Sequence, residues 1–293
     1  MDPIKQIKDS GTVMVFLTVW VLIVMFSDLC LASDIEKATG FDCITQFENG
    51  SVNWSTGNII AIGKAAPKDY RETSLESVPG SARANASRQI IELLQQIKID
   101  HAMSVGEYAS KNDIILAGME KTARDAVVIK QYYTSALAVE IHIETSMYGG
   151  FLQLILPEEI RQISKISSRM IKQKSPQSNE KLFTGLIIDA KGLGVEPVLN
   201  PRIISEQGHD VYSSAFISRE FAVQNGVCKY VCSKGKAYQE KRMGDHPLGF
   251  KGLRKEGKLN AAIVISMSDY QRLEKITERH SFLAECRVTI IID

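Results

Sequence analysis

The residues of this chain with the capacity for acid–base or metal chemistry are few and scattered. Five histidines stand at His101, His142, His209, His246 and His280. No two fall at the spacing of an H-E-x-x-H helix, and no Cys and His positions cluster tightly enough for zinc, so the spacing supports no metal site and no cofactor. Asp245-His246 precedes Pro247, but adjacent side chains rarely orient toward one another, and a tight turn accounts for the triplet. Gly192-Leu193-Gly194 follows an apolar run as a phosphate loop would. The third glycine, the helix and the Walker lysine are missing, however, and Pro197 and Pro201 come next, so a turn is expected there too. No G-x-S-x-G elbow occurs. The expectation is a protein that is not an enzyme and has no catalytic residues.

Cysteine chemistry depends on compartment, and the first residues speak to that. Lys5 and Lys8 precede an apolar stretch from Val13 to Phe26 that only Thr18 interrupts, and Asp28 ends it. This is shorter than the ~20 residues needed to cross hydrocarbon and reads as the apolar part of a signal peptide over residues 1–32. Cys30-Leu31-Ala32 places small side chains three residues and one residue before Ser33, so cleavage is expected after Ala32. The rival readings are an uncleaved anchor and lipidation at Cys30, which Ser27-Asp28-Leu29 disfavours; membrane contact is expected only through one of these. The expected location is the periplasm or the periplasmic face of the outer membrane. Without the leader, Cys43, Cys228, Cys232 and Cys286 remain, an even number for which oxidation permits three pairings. Cys228 and Cys232 are the candidate disulfide by proximity, with Cys43 and Cys286 as the long-range alternative. Their C-x-x-x-C spacing departs from the C-x-x-C of thioredoxin-like centres.

Composition narrows the partners. Lysine and arginine number 35 against 34 aspartate and glutamate, a net charge of +1, so there is no basic field for nucleic acid. The basic stretch Lys251, Arg254, Lys255 and Lys258, and the run Glu158, Glu159 and Arg161, read as solvated faces.

The elements follow from periodicity. Asn58 to Gly63 reads as a strand ended by glycine. Pro79 opens a helix whose apolar stripe is Ala82, Ala86, Ile90, Leu93, Leu94 and Ile97, and a shorter helical run spans Asp113 to Thr122. Period-two segments lie around Asp125 to Tyr133 and from Val139 to Glu144, the second with Glu140, His142 and Glu144 on its wet face. Pro157-Glu158-Glu159 starts another helix. Ser167 to Glu180 is polar and aperiodic, the expected interdomain linker. Beyond it Leu186 to Ile188 reads as a strand, Ile203 to Tyr212 as a hairpin, Ala261 to Ser266 as a strand, Asp269 to His280 as a helix, and Cys286 to Ile292 as an alternating final strand. The predicted class is α+β in two small domains, residues 33–166 and 183–293 joined by a linker at 167–182, each a mostly antiparallel sheet with helices on one face.

Three features, the strand NIIAIGKAAP at 58–67, the helix SARANASRQIIELLQQIKI at 81–99 and the paired strands ARDAVVIKQYY and ALAVEIHIET, resemble the Lpp-twenty family of small bacterial outer-membrane lipoproteins. That family includes the amino-terminal domain of flagellar assembly protein T, and the likeness covers about residues 58–145. TGLIIDAKGLGVEPVLNPRIISEQGHDVY at 184–212 is similar to segments that accompany such domains in other exported proteins. The resemblance implies an envelope location and a structural role in surface or flagellum-associated assemblies, with no catalytic residues to carry over. This chain lacks a good lipid-attachment site, which sets it apart from the lipoprotein members. The expected function is a non-enzymatic assembly component of the cell envelope, with flagellar or outer-membrane proteins as partners. The alternative is a soluble periplasmic ligand-binding module with its site between the domains.

Overall fold

Alternation at Val139 to Glu144 and the run from Asn58 produce the two central strands of one sheet. In the computed structural model, which describes residues 42–67, 77–134, 137–157, 183–277 and 281–293, β3 (Asn58–Ala65) and β5 (Val139–Ser146) pair antiparallel along their whole length, from Asn58 opposite Ser146 to Ala65 opposite Val139. With β1 (Ile44–Phe47), β2 (Gly50–Asn53) and β4 (Val127–Tyr133) they form a five-stranded antiparallel sheet in the order β1-β2-β3-β5-β4. Val139, Ile141 and Ile143 are buried, while Glu140, His142 and Glu144 are half-exposed on the other face, as a sheet with one wet side requires. The leader with Cys30 and Ala32, the helix expected after Pro157, the whole linker at 167–182 and His280 lie outside the described residues.

The buried face is covered by α1 (Ser77–Gln96), whose inward stripe of Ala82, Ala86, Ile90, Leu93 and Leu94 is the one read from the sequence. Small residues set how close the helix comes. A Cβ on Gly63 would lie 2.1 Å from the Ala82 carbonyl oxygen and 2.3 Å from the Ala86 nitrogen, so helix backbone rests directly on strand backbone at this point. At Gly50 it is the Leu93 side chain that packs close, its Cδ1 2.8 Å from where a Cβ would stand. Three short helices complete this half. The first, α2 (Val105–Ala109), starts with a capping box in which Ser104 accepts from the Glu107 amide and Glu107 accepts from the Ser104 amide, a Ser-x-x-Glu signal present in the sequence. Asn112 caps α3 (Asp113–Arg124), and α4 (Gly150–Ile155) buries Phe151, Leu152 and Ile155.

The second half holds two four-stranded sheets. One has the order β10-β6-β13-β9, built from β6 (Gly185–Asp189), β9 (Lys229–Val231), β10 (Pro247–Lys251) and β13 (Val288–Ile291), and every pairing in it is parallel. The other has the order β11-β12-β7-β8, from β7 (Arg202–Ser205), β8 (Asp210–Tyr212), β11 (Arg254–Glu256) and β12 (Ala262–Ile265), with a parallel β12–β7 pair between antiparallel neighbours. Helices α5 (Arg219–Asn225), α6 (Lys234–Gln239) and α7 (Met267–Thr277) lie between the strands in sequence. The α+β class holds, but the mostly antiparallel sheet expected here is replaced by parallel pairing. Parallel strands are covered on both faces, and all four residues of β13, Thr289 included, are buried, as are all four of β12. The alternation read into Cys286 to Ile292 therefore has no wet face behind it. The apolar core runs through both halves.

The close approach at Gly63 yields a test of the packing. Replacing Gly63 with alanine is expected to cost about 3 kcal/mol, the upper end for overpacking a core against rigid backbone. Gly80 lies on α1 itself, and a methyl group added there would meet no heavy atom within 4 Å. Gly80→Ala is expected to gain about 0.5–1 kcal/mol through helix propensity alone. Urea denaturation of the two variants against the parent chain measures both.

Candidate functional site

The histidines do not converge. His142 on β5 pairs with Glu140 at 2.7 Å, and the Tyr132 ring packs edge-on to it at 5.4 Å between centroids. His209 stacks on Tyr270, His101 packs over Gly257, and His246 is exposed in a bend. Among the described residues, no group of three or more His, Cys, Asp or Glu side chains is placed to hold a metal ion. Gly192 and Gly194 sit in a turn with positive φ, and their amides donate to the Asp293 carboxylate, Gly192 at 2.8 Å and Gly194 at 3.4 Å. Within the basic stretch, Lys255 donates to the Gly194 carbonyl, Arg254 pairs with Glu256, and Lys258 reaches Glu107 at 3.8 Å.

What the fold leaves open is an edge. All seven residues of β4 are exposed, among them Val127 at 64%, Ile129 at 40%, Tyr132 at 48% and Tyr133 at 69%. Val127, Lys130 and Tyr132 lie on the wet face; for Val128, Gln131 and Tyr133, on the face that α1 covers elsewhere, the cause is the placement of α1. Strands lie about 4.8 Å apart, so an edge two strands from β3 is nearly 10 Å from the helix seat, beyond the flank of a helix about 10 Å wide. The next helix does not fill the gap. Ser87 on α1 donates to the Ala123 carbonyl of α3, and Arg83 donates to the Ala126 carbonyl just before β4, which holds α3 beside α1. The other sheet edges are short or guarded, as protein surfaces favour: β1 is four residues long, β11 is three charged residues, β10 starts with a proline and ends with a lysine, and β8 and β9 are three residues long. Only Lys130 carries charge within β4. Period-two reading found the strand, but the run Val127-Val128-Ile129 was the available sign that it is apolar on both faces. A register shift between Val128 and Lys130 produces this: Val127, Lys130 and Tyr132 stand opposite Glu144, His142 and Glu140, whereas Val128, Gln131 and Tyr133 stand opposite Ile143, Ile141 and Val139.

Among the described residues, the seam between the halves is bridged at several points. The disulfide joins Cys43 to Cys232, with Cα atoms 5.4 Å apart, and not Cys228 to Cys232 as proximity in sequence suggested. Those two flank the extended strand β9, and four residues of strand span about 13 Å, too far for a disulfide. Cys228 and Cys286 are buried thiols; burial pushes Cys228 up to about 12 and Cys286 up to about 11. Beside the disulfide, Ser55 accepts from the Cys43 amide and donates to the Tyr230 carbonyl at 2.9 Å, and Trp54 packs edge-on against Tyr230. Burial works against ionisation of Asp42, but hydrogen bonds from Lys236 and Asn53 outweigh it and hold the carboxyl below its usual range. Tyr148 is clamped between Gly57 and Gly226, each of which would drive a Cβ to within 2.7 Å of its ring, and burial raises its hydroxyl to about 12. Arg219 donates to the carbonyls of Pro157, Gln153 and Leu156 at the end of α4. The cavity left among Trp54, Tyr148, Val198 and Tyr230 has about 230 Å³ of empty space, part of it open to solvent, below the range of sites that enclose small molecules.

Removing either half of the disulfide is expected to lower stability by up to about 5 kcal/mol, the chain-entropy figure for a loop this long. Cys43→Ser, Cys232→Ser and the double variant are expected to melt alike, since all three lose the same bond. Native-state alkylation at neutral pH should leave Cys228 and Cys286 unlabelled until the chain is unfolded.

Residues 185–293 match the family model described as Treponema pallidum Tp0624, second domain. The match begins at the first residue of β6, where the second half begins in the structure, and supports a two-domain division. No curated protein matches the chain.

Proposed function

We propose that this protein is a non-enzymatic assembly component of the bacterial envelope, exported to the periplasm or the periplasmic face of the outer membrane, and that it recruits protein partners along the open edge of β4. The observation that carries the reading is the exposed, largely apolar length of β4. Unpaired amides and carbonyls along such an edge template an added strand, while alternate side-chain positions supply specificity. Export is supported by the lysine-flanked apolar stretch at the start of the chain and by the Cys43–Cys232 disulfide, a bond that persists in oxidising compartments. The resemblance of residues 58–145 to the Lpp-twenty family points to flagellar or outer-membrane proteins as the partners. No helix among the described residues is long and apolar enough to cross a membrane.

A photo-crosslinking residue placed at Tyr133 in living cells tests this, with the same residue at Lys255 on the charged edge β11 as the control. Adducts with envelope proteins are expected at position 133 and not at 255. Equal labelling at both positions, or none at 133, contradicts the proposal.

A further inference from the structure

The geometry of β4 points to a second copy of this chain as the occupant of that edge: two β4 strands pair antiparallel about a two-fold axis, joining two five-stranded sheets into one of ten. This rests on the assembly reading above for the role of the β4 edge, and places a copy of this chain there in place of another envelope protein. The register shift is what makes the strand self-complementary. Because it places Val127 and Tyr132 on one face and Val128 and Gln131 on the other, the alignment with its axis between Ile129 and Lys130 sets Val127 opposite Tyr132 of the other copy and Val128 opposite Gln131. Both of these pairs then join residues from matching faces of the two sheets. Shifting the alignment by one residue to centre it on Lys130 sets the two Lys130 side chains against each other and pairs Val127 with Tyr133, which lies on the opposite face. Aromatic and β-branched side chains opposite one another favour the first alignment, and like charges directly opposite disfavour the second.

Electrostatics and area agree with a modest homodimer. A net charge of +1 means two copies do not repel, and in the favoured alignment Lys130 faces Ile129. The exposed apolar side chains of the strand, at partial exposure, amount to roughly 500 Å² per copy when aromatic residues count for up to about 250 Å² each. A stable interface buries about 800 Å² per partner, so the pair belongs to the weaker class, dissociating at micromolar concentration. Closed two-fold pairing is also the commonest way in which identical chains associate.

Sedimentation of the intact chain across the micromolar range is expected to show a monomer–dimer equilibrium. Val127→Lys, a change at an exposed position, should weaken it at least tenfold without lowering the melting temperature. The alignment is read separately by mixing Val128→Cys copies with Gln131→Cys copies: the mixture is expected to form intermolecular disulfides, and each variant alone is not. A dimer that Val127→Lys leaves untouched overturns the inference. A chain monomeric at every concentration also overturns it; adducts to other envelope proteins at position 133 would then leave the assembly reading standing, and their absence would remove both.

Discussion

The contact of helix backbone with strand backbone at Gly63 governs the first half of this molecule. With Ala82 and Ala86 above it, α1 descends until nothing larger than hydrogen fits beneath, and its larger residues, Ile90, Leu93 and Leu94, fill the sheet toward the carboxyl end of the helix. Full burial of such side chains contributes roughly 1.5–3 kcal/mol each, so the helix cannot slide toward β4 without losing them. The exposure of Val128, Gln131 and Tyr133 on the covered side of the sheet follows from that seat. A bulky residue at position 63 would lift or displace α1, and the covered and open parts of the sheet would change together.

A surface of this kind has value for recognition when its platform does not flex. The second half supplies the stiffness through unlike contacts at separate points: the Cys43–Cys232 disulfide, the Ser55 bridge to Tyr230, the Tyr148 ring between two glycines and Arg219 at the end of α4. Gly57 and Gly226 have positive φ as well as close approach to the tyrosine, so a side chain at either position would meet both backbone strain and a clash. The parallel sheet behind them is buried on both faces and offers few exposed groups. The exposed apolar edge lies on the first sheet.

Much of this was legible in the chain. The stripe on α1 and the alternation of β5 follow from periods of 3.6 and 2, and both faces came out as read. The β7–β8 pair was recognisable because Gln207-Gly208 sits between its strands. Parallel pairing of β6 with β10 and β13 was not legible, since those partners lie some 60 and 100 residues away and a continuous apolar run does not name its neighbour. The short β1–β2 hairpin gave too little periodicity to find. The disulfide escaped for a different reason: proximity in sequence favours Cys228 with Cys232, but strand geometry holds them apart and brings Cys43 across from the other half. For the candidate site, the sequence contained the apolar run of β4, while its exposure depends on where α1 lands, a tertiary fact.

The proposed recognition turns on β4 being a free, ordered edge that gains a strand. Amide hydrogen exchange of residues 127–133 in the intact chain, followed as protein concentration rises, tests it most directly. Fast exchange at alternate β4 amides in dilute solution, slowing as the edge is occupied while β3 and β5 stay protected throughout, is the expected result. Uniform strong protection of β4 at every concentration would show that the edge is already covered within one molecule and would contradict the account.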